Sequence, residues 1–265
     1  MTNDQRLADL TDWQRDNLRY RFHWHTRDGD SDFEGSVTAV YGDFLLHWPE
    51  DEEEGASGDY INIGMSTRHI FHVDQDGSRP PLHLVMDEFG PFTSDLYDAM
   101  FTRNQRPRRA LLNALNRNDV SFRNIHYAAR TFIRSKHQGR NLGLLALCSY
   151  AKTFVGDSDA LTMLPGPLDA PKMKHEELLV ARNKLRAYWS RFGMRRIGSS
   201  DYYVLPMEMQ RPQPYQFCER GEHGELRVQG GPEGCCVTES RKIATLGRAS
   251  FRVAVEAAFA QEPRL

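Results

Sequence analysis

The sequence predicts an α/β fold in which helices flank a mixed central sheet. Within about forty residues, a length typical of a βαβ unit, an apolar strand at 124–133, a helix at 142–154 and a second strand at 160–164 follow one another. Such a crossover makes its two strands parallel, with a right-handed connection. Upstream, residues 18–73 carry strand segments separated by polar loops. Together these segments predict one mixed sheet.

The N-terminal part is predicted to form three strands, at 18–26, 36–48 and 60–73. Each segment mixes aromatic or branched apolar residues with polar ones, as strands of a half-buried sheet do. The acidic run at 50–54 and the small residues after it predict a solvated loop. A site for a hard metal ion or for a basic partner is the alternative for this run.

The middle of the chain begins with residues 82–86, which are short, apolar and preceded by two prolines, and we expect a strand there. The chain then turns and begins a helix capped near Ser94. A second helix is predicted at 108–116. A basic cluster surrounds the start of this helix: Arg103, Arg106, Arg108 and Arg109. We expect a solvated helix end there, with a nucleic-acid contact as the less favoured interpretation.

The helix at 142–154 is apolar nearly all round, so it should be buried. A longer amphipathic helix is predicted at 176–192, where apolar residues recur at spacings of three, four and seven. Gly193 is a suitable left-handed C-cap for it. Three further elements are predicted, namely strands at 194–197 and 202–205 and a terminal helix at 248–259.

The turn between the first crossover strand and the buried helix reads QGRNLG at 138–143. N–H groups of the first helical turn point out of a helix N-terminus, where the helix dipole is positive, so this end suits a phosphate. Gly139 and Gly143 let the backbone approach a ligand without an intervening Cβ. Asn141 is the residue that, after glycine, best tolerates a left-handed conformation. The residues predict an anion site, with a loop that binds nothing as the alternative.

This turn resembles the Gln/Arg-x-x-Gly-x-Gly/Ala acetyl-CoA motif of the GNAT N-acetyltransferases, with Asn141 at the position of the first motif glycine. The stretch LRAYWSRFGMRRIG at 185–198 is similar to that family's late helix and strand, and LPGPL at 164–168 fits the intervening strand end. The resemblance implies the acyl-CoA N-acyltransferase (GNAT-like) fold. It divides the chain into a strand-rich N-terminal extension at 1–81, a core at 82–206 and a C-terminal extension at 207–265.

The resemblance also implies an activity, the transfer of an acetyl group from acetyl-CoA, as co-substrate, to a primary amine. The strand before the turn would bind the pantetheine arm through its edge, and a backbone N–H there would polarise the thioester carbonyl. The residues implied for acetyl-CoA binding are Phe132, Ile133, Gln138, Gly139, Arg140, Asn141, Leu142 and Gly143. A GNAT-fold protein that binds acyl-CoA as a sensor or scaffold, without turnover, is the alternative.

The reaction needs an acid for the departing thiolate. The family often places a tyrosine on the late helix as this acid, where the present chain has Trp189. The catalytic candidates are therefore the neighbouring Tyr188 and, on the last strand, Tyr202, with Tyr203 beside it. One step along a helix rotates a side chain by about 100°, so Tyr188 need not face the thiol. Core packing is the favoured role for each of these tyrosines, and catalysis is the alternative.

The acceptor side follows less directly from the resemblance. The family usually inserts two strands between its first helices and the motif strand, whereas only residues 117–123 lie there in this chain. Either strands from 18–73 take those places or the sheet is rearranged. The sequence offers only Asp87 and Glu88 as candidate bases. It does not choose between a small amine, a protein and an aminoacyl-tRNA as acceptor.

Composition limits the other function classes. The 34 basic and 36 acidic residues give a net charge of −2, so no overall field favours nucleic acid or an acidic membrane. No apolar run has the length of a membrane span, and the N-terminus lacks the pattern of a secretory signal. The four cysteines do not make a disulfide framework, so we expect a cytoplasmic protein, with a homodimer among the states allowed.

Zinc-ligand residue types lie near the C-terminus: Cys218, His223, Cys235 and Cys236. They lack a Cys-x-x-Cys spacing, and adjacent cysteines rarely bind one ion together. We therefore expect ordinary thiols and predict no metal. A metal- or nucleic-acid-binding module, built on these residues and the basic cluster, is the third hypothesis.

Overall fold

A computed structural model of the chain describes residues 18–28, 35–49, 58–73, 77–168 and 170–206. It also describes short segments at 5–6, 9–11, 217, 219–220, 226–227 and 236–245. In these parts of the chain the strands form one sheet and helices cover both of its faces. The prediction of an α/β fold with a mixed sheet is confirmed.

Seven strands lie between residues 19 and 204: β1 (Arg19–Asp28), β2 (Val37–Pro49), β3 (Gly58–His72), β4 (Asn124–Ile133), β5 (Asp159–Met163), β6 (Arg195–Arg196) and β7 (Tyr203–Val204). Their order across the sheet is β6-β7-β5-β4-β3-β2-β1. Beyond β1 the sheet continues through three strands, β8 (Glu219–Arg220), β9 (Leu226–Arg227) and β10 (Cys236–Thr245), in the order β10-β9-β8. The pairs β4–β5 and β1–β10 are parallel, and the other neighbours are antiparallel.

Within the described residues 77–168 and 170–206 there are five α-helices: α1 (Leu82–Glu88), α2 (Pro91–Met100), α3 (Arg109–Leu115), α4 (Leu142–Phe154) and α5 (His175–Ser190). One hydrophobic cluster lies between the sheet and α4, and a second between the sheet and α1 to α3. Every residue of α4 from Leu142 to Ala151 is buried, as its uniformly apolar sequence predicts. The α5 helix has no fully buried residue and packs through its half-buried aromatic end against the α4 cluster.

The crossover predicted from the sequence is confirmed. The strand at 124–133 and the helix at 142–154 have the predicted bounds, and β4 pairs parallel with β5. At the end of the late helix, Gly193 has φ +87°. This is the left-handed conformation that glycine adopts at no steric cost.

The strand predicted at 82–86 is wrong, because these residues form α1. The buried residues of this segment are Leu82, Val85 and Met86, at spacings of three and four, which is a helical pattern. Pro81 precedes the helix, where its missing N–H removes no helical hydrogen bond. The next helix, α2, begins at Pro91 after Gly90 rather than near Ser94.

The strands of residues 18–73 take the places beside β4. Strand β3 pairs antiparallel with β4, from Gly64 opposite Ile133 to His72 opposite Asn124. Residues of the N-terminal segment 1–81 and of the segment 82–206 therefore share one sheet. The predicted terminal helix at 248–259 and the acidic run at 50–54 lie outside the described residues.

Arg68 on β3 lies in the core between the sheet and α4. Its guanidinium is over the ring of Tyr150 at 4.5 Å and the ring of Trp24 at 5.6 Å, measured to the ring centroids. Its three nitrogens have no hydrogen-bond partner in the described part of the chain. Burial lowers the pKa of Arg68 to about 10, so the guanidinium is charged at neutral pH and is stabilised by cation–π contacts.

Candidate functional site

The parallel strands β4 and β5 pair over only part of their length. Their register runs from Asn124 opposite Asp159 to Ala128 opposite Met163. Strand β5 ends there, and Pro165 closes the segment that follows, while β4 continues to Ile133. In the described part of the chain no strand pairs with β4 on this side beyond Ala128, so the edge of β4 faces a gap.

A β-bulge lies at the point where the gap opens. Thr67 pairs with Arg130 and the next residue of β3, Arg68, pairs with Ala128, so Ala129 is an extra residue on β4. A bulge of this kind shifts the alternation of side chains between the two faces of the sheet. Upstream of it, His126 faces α4, where its ring bonds the Tyr150 hydroxyl at 2.8 Å.

Downstream of the bulge the odd-numbered residues of β4 face α4. Ile133 packs against the α4 cluster, and Thr131 bonds Ser66, which lies on the same face as Arg68. Arg130 and Phe132 therefore lie on the opposite face, paired with Thr67 and Met65 of β3.

Along β4 the backbone N–H and C=O groups of successive residues point alternately toward β3 and toward the gap. Arg134 N–H donates to Ile63 C=O at 2.8 Å, so the backbone groups of the preceding residue, Ile133, face the gap. In agreement, Ile133 C=O accepts the side-chain amide of Gln138 at 2.8 Å. Thr131, two residues earlier, also directs its N–H and C=O toward the gap, whereas those of Phe132 face β3.

The turn from β4 to α4 contains two residues in the left-handed region. Gly139 has φ +81° and Asn141 has φ +57°. The Asn141 side chain is buried, accepting from Arg191 at 2.9 Å and donating to the Phe217 carbonyl at 3.3 Å. These two hydrogen bonds hold Asn141 in the left-handed conformation. Asn141 is the N-cap residue of α4, so the helix begins directly after it.

The N-terminus of α4 is covered by Tyr188 of α5. Leu144 N–H donates to the Tyr188 hydroxyl oxygen at 3.1 Å. A Cβ on Gly143 would lie 3.0 Å from that oxygen and 3.4 Å from the Trp189 ring, so glycine allows the two helices to approach. The hydroxyl oxygen thus serves as an acceptor for the first turn of the helix, a role that capping side chains usually fill.

The electrostatics of Tyr188 follow from this position. Burial raises the pKa of Tyr188 to about 12, although the N–H groups of Leu144 and Gly143 and the charge of Arg191 oppose the shift. The phenol is therefore protonated at neutral pH. Its oxygen accepts from the helix, which leaves its own O–H as a donor.

The gap, the turn and α5 enclose one cavity of about 800 Å³. Its described lining residues are Asn62, Gly64, Met65, Arg130, Thr131, Phe132, Ile133, Arg134, His137, Gln138, Gly139, Asn141, Leu142, Gly143, Gly166, Pro167, Leu168, Lys172, Leu185, Tyr188 and Trp189. Three of these residues are cationic and none is acidic. A cavity with such walls favours an elongated ligand that is partly apolar and carries negative charge.

His137 adds a neutral ring to this wall. Burial, reinforced by the positive charges of Arg140, Arg134 and Lys136, lowers the pKa of His137 to about 4. The imidazole is therefore uncharged at neutral pH, although it stands next to the anion-binding turn.

The structure brings together most of the residues predicted for the cofactor. All of them except Arg140 line the cavity, whereas the Arg140 guanidinium donates to the Tyr20 hydroxyl at 2.8 Å. The N–H groups of Gly143 and Leu144 lie against the Tyr188 hydroxyl, so these two donors of the helix N-terminus already have a partner.

The two predicted catalytic tyrosines lie in different places. Tyr188 lines the cavity, whereas the Tyr202 hydroxyl donates to Phe92 C=O at 2.6 Å, in the cluster under α1 to α3. The structure does not bring Tyr202, Asp87 or Glu88 to the cavity wall.

Several wall residues were not singled out from the sequence. Met65 and Asn62 come from β3 and reach the cavity only through the pairing of β3 with β4. Arg130, Arg134 and Lys172 are charged residues at the strand end and in the loop before α5. Their positive charge was a usable signal, but their convergence depends on the bulge and the sheet register.

Of the zinc-ligand residue types near the C-terminus, Cys218, His223 and Cys235 lie outside the described residues, and Cys236 is the first residue of β10. Among the described side chains, no group of three or more His, Cys, Asp or Glu is arranged to hold a metal ion. Likewise, none of the described helices is long and apolar enough to cross a membrane.

Comparison with known proteins yields no relative. No protein-family model, curated protein or solved structure matches the chain.

Proposed function

We propose that the chain is a GNAT-type N-acyltransferase that transfers the acetyl group of acetyl-CoA to a primary amine. The observation that carries the proposal is the unpaired edge of β4, which leads from the parallel pair with β5 to the N-terminus of α4. In the family that the sequence resembles, the strand before the acetyl-CoA motif separates from its parallel neighbour and the thioester enters the gap. The same arrangement here supports a GNAT-like fold as the finer assignment.

Acetyl-CoA would bind with its pyrophosphate at the turn that precedes Gly143. The N-terminus of α4 attracts negative charge through its dipole, and Arg134 and Lys172 add positive charge to the wall of the same cavity. The pantetheine arm would lie in the gap and pair with the backbone of Ile133. Deeper along the strand, Thr131 N–H would donate to the thioester carbonyl and stabilise the oxyanion.

The reaction would proceed by direct attack. The nitrogen of a neutral amine forms a bond to the acetyl carbon, and the carbonyl oxygen gains negative charge. The C–S bond then breaks, the sulfur leaves with the electron pair, and the nitrogen loses a proton. The products are the N-acetyl amide and CoA, whose thiolate takes up one proton.

Tyr188 would act on the departing sulfur as a hydrogen-bond donor. Its pKa of about 12 exceeds the ~8.5 of a free thiol by roughly 3–4 units, so complete proton transfer from the phenol costs about 5 kcal/mol. Donation of a hydrogen bond without transfer avoids this cost and still stabilises the developing thiolate. Solvent then supplies the proton to CoA.

The first test is the effect of acetyl-CoA on thermal stability. A ligand at 100 times its Kd stabilises the native state by about 2.7 kcal/mol, which corresponds to a Tm increase of roughly 5–10 °C for a chain of this size. Acetyl-CoA should give this increase, whereas acetate and pantetheine at the same concentration should not. Absence of a shift at saturating acetyl-CoA would contradict the proposal.

One observation favours the non-catalytic alternative, an acyl-CoA sensor. None of the described wall residues is a carboxylate that could act as a base for the amine. Thiol release measured with a panel of amines separates the two functions, because an enzyme releases CoA in step with amide formation. Stabilisation by acetyl-CoA without turnover on the whole panel would favour the sensor.

A further inference from the structure

The β6 edge of the described sheet carries a large share of the positive charge of the chain. Two segments meet there, namely residues 101–118, which contain α3, and residues 182–200, which contain the end of α5 and strand β6. They hold five and six basic residues respectively, and neither holds an acidic residue. Since the net charge of the whole chain is −2, the positive charge is concentrated in this part of the molecule.

Packing of α3 beside β6 brings the two segments together. A Cβ on Gly198, in the turn after β6, would lie 2.9 Å from the Cβ of Ala110 on α3. Arg109 precedes Ala110 and is exposed, so its guanidinium extends from the helix end beside this turn. Strand β6 is the last strand on its side of the described sheet, and both of its residues, Arg195 and Arg196, are exposed.

The two arginines of β6 lie on different faces of the sheet. Met194 belongs to the cluster under α4 and Ile197 to the cluster under α3. Since side chains alternate along a strand, Arg195 lies on the α3 face and Arg196 on the face that carries α4 and α5. The edge therefore presents positive charge on both sides.

On the α5 face one carboxylate contacts three arginines. Arg186 of α5 donates to the Asp201 carboxylate at 2.6 Å. Arg196 lies 3.4 Å and Arg182 3.8 Å from the same carboxylate, and Arg196 also donates to the Ser199 carbonyl at 2.8 Å. One negative charge thus meets three positive ones, so the group keeps a net positive charge in a fixed arrangement.

On the α3 face the arginines have no such partner. Among the described residues, no carboxylate lies within 4.0 Å of the guanidinium of Arg106, Arg109 or Arg195. The loop before α3 is closed by a hydrogen bond from Thr102 N–H to Arg106 C=O at 2.9 Å, which holds Arg106 near the start of the helix. These guanidinium groups are available to a ligand.

We infer that this basic edge, formed by Arg106, Arg109, Arg186, Arg195 and Arg196, binds the phosphate backbone of a double-stranded nucleic acid. Arginine binds phosphates through paired, charge-assisted hydrogen bonds. Cations on both sides of one sheet edge suit a ligand whose negative charge repeats along its length, as in a duplex with one charge per ~1.7 Å. The inference does not depend on the proposed acyltransferase activity.

The other exposed residues of the two segments favour a duplex over a membrane or a single strand. Helices that bind membrane surfaces insert apolar side chains, and proteins that bind single strands stack bases on aromatic rings. The large apolar residues exposed in the described part of the chain all lie outside 101–118 and 182–200. Exposed amide and hydroxyl groups lie there instead, on Asn104, Gln105, Asn113 and Ser199, and can donate to phosphate and sugar oxygens.

The test measures binding of the full chain to fluorescently labelled duplexes of RNA and of DNA by anisotropy. A surface that neutralises about four phosphates loses roughly 100-fold in affinity between about 50 and 200 mM salt. We expect binding at the lower salt concentration with this salt dependence and without preference for base sequence. The duplex that binds more tightly identifies RNA or DNA as the ligand.

A double variant examines the edge itself. Arg109→Glu combined with Arg195→Glu breaks no ion pair among the described residues, so the fold should be kept. Its affinity should fall at least about tenfold, and the slope of log K against log salt should become shallower by about two. Far-UV circular dichroism verifies folding, and Arg109→Gln alone, with a loss of about threefold, replaces the double variant if that variant is unfolded.

Lys184→Glu is the matched control. Lys184 is an exposed residue of α5 two positions from Arg186, which places it about 200° away around the helix, on the opposite side. The same change of charge there should alter the affinity by less than about twofold.

Four results would overturn the inference: no binding of either duplex at about 50 mM salt, an equal loss of affinity in Lys184→Glu and the edge variant, tighter binding of a single strand than of a duplex, or equally tight binding of polyglutamate or phosphatidylserine vesicles. None of these results bears on the acyltransferase proposal, which the acetyl-CoA-induced Tm increase tests separately.

Discussion

Replacement of Tyr188 by phenylalanine separates the two roles that the structure gives its hydroxyl group. The oxygen accepts Leu144 N–H at 3.1 Å, so Tyr188→Phe leaves a helix N–H without this partner. An unsatisfied N–H of this kind costs about 1–3 kcal/mol. The lower half of that range is expected, because the N–H lies beside a cavity that water can enter.

The effect on turnover should be larger. Loss of one positioned donor to a developing charge typically lowers kcat by about 10²–10³-fold. We therefore expect Tyr188→Phe to lower kcat by at least 100-fold in a thiol-release assay, while the Kd of acetyl-CoA changes by less than about threefold. The pKa of about 12 also predicts no alkaline decline of the wild-type rate from this group below about pH 10.

Tyr202→Phe is the matched control, because it removes a phenol hydroxyl that bonds Phe92 C=O outside the cavity. It should lower the free energy of unfolding by about 1 kcal/mol and leave kcat unchanged. If Tyr188→Phe retains wild-type kcat, the assignment of the thiolate donor is refuted. If Tyr202→Phe abolishes turnover in a folded protein, the site itself is misplaced.

Three further predictions concern stability, measured as the urea-unfolding free energy. Gly64→Ala places a Cβ 2.4 Å from the Phe132 carbonyl oxygen and should lower the free energy of unfolding by about 1–3 kcal/mol. The control is Gly166→Ala, whose Cβ has open space around it. It should lower the free energy by less than about 0.5 kcal/mol. Burial and neighbouring arginines lower the pKa of His47 to about 4, below its ordinary 6.5. As the pH falls, the unfolded state therefore takes up the proton first. The free energy of unfolding should decrease between about pH 6.5 and pH 4, by at most about 3 kcal/mol. His47→Asn should reduce this decrease. Arg68→Met should change the free energy of unfolding by less than about 1 kcal/mol. It removes cation–π contacts of ~2 kcal/mol, but it also removes the ~3 kcal/mol cost of burying the guanidinium charge. A decrease of more than about 3 kcal/mol would contradict this reasoning.

The crossover could be predicted closely because its signals are local. The strand before the turn, the left-handed residues within it and the helix at 142–154 each have a strong pattern over a short window. The segment at 82–86 was too short for its period to decide between strand and helix. The packing of Leu82, Val85 and Met86 against the second cluster decides it in favour of a helix.

In the candidate site, too, the local part could be predicted from the sequence and the part that depends on packing could not. Its donor side comes from consecutive residues of the turn, so the sequence indicates it directly. The position of Tyr188 depends on how α5 crosses α4, which is possible at this distance only because residue 143 is glycine. Whether Tyr188 or Trp189 faces the helix end is a matter of one step of helical rotation, which the sequence pattern does not resolve.

The orientation of the side chains at the end of β4 depends on a single extra residue in that strand. Without the bulge at Ala129, strict alternation from His126 would place Arg130 on the α4 face and Thr131 on the other. The Arg130 side chain would then point toward the cluster between the sheet and α4. The face of the sheet on which Arg130 lies is thus a consequence of sheet register. That register is specified by β3, which pairs with β4 from Gly64 to His72.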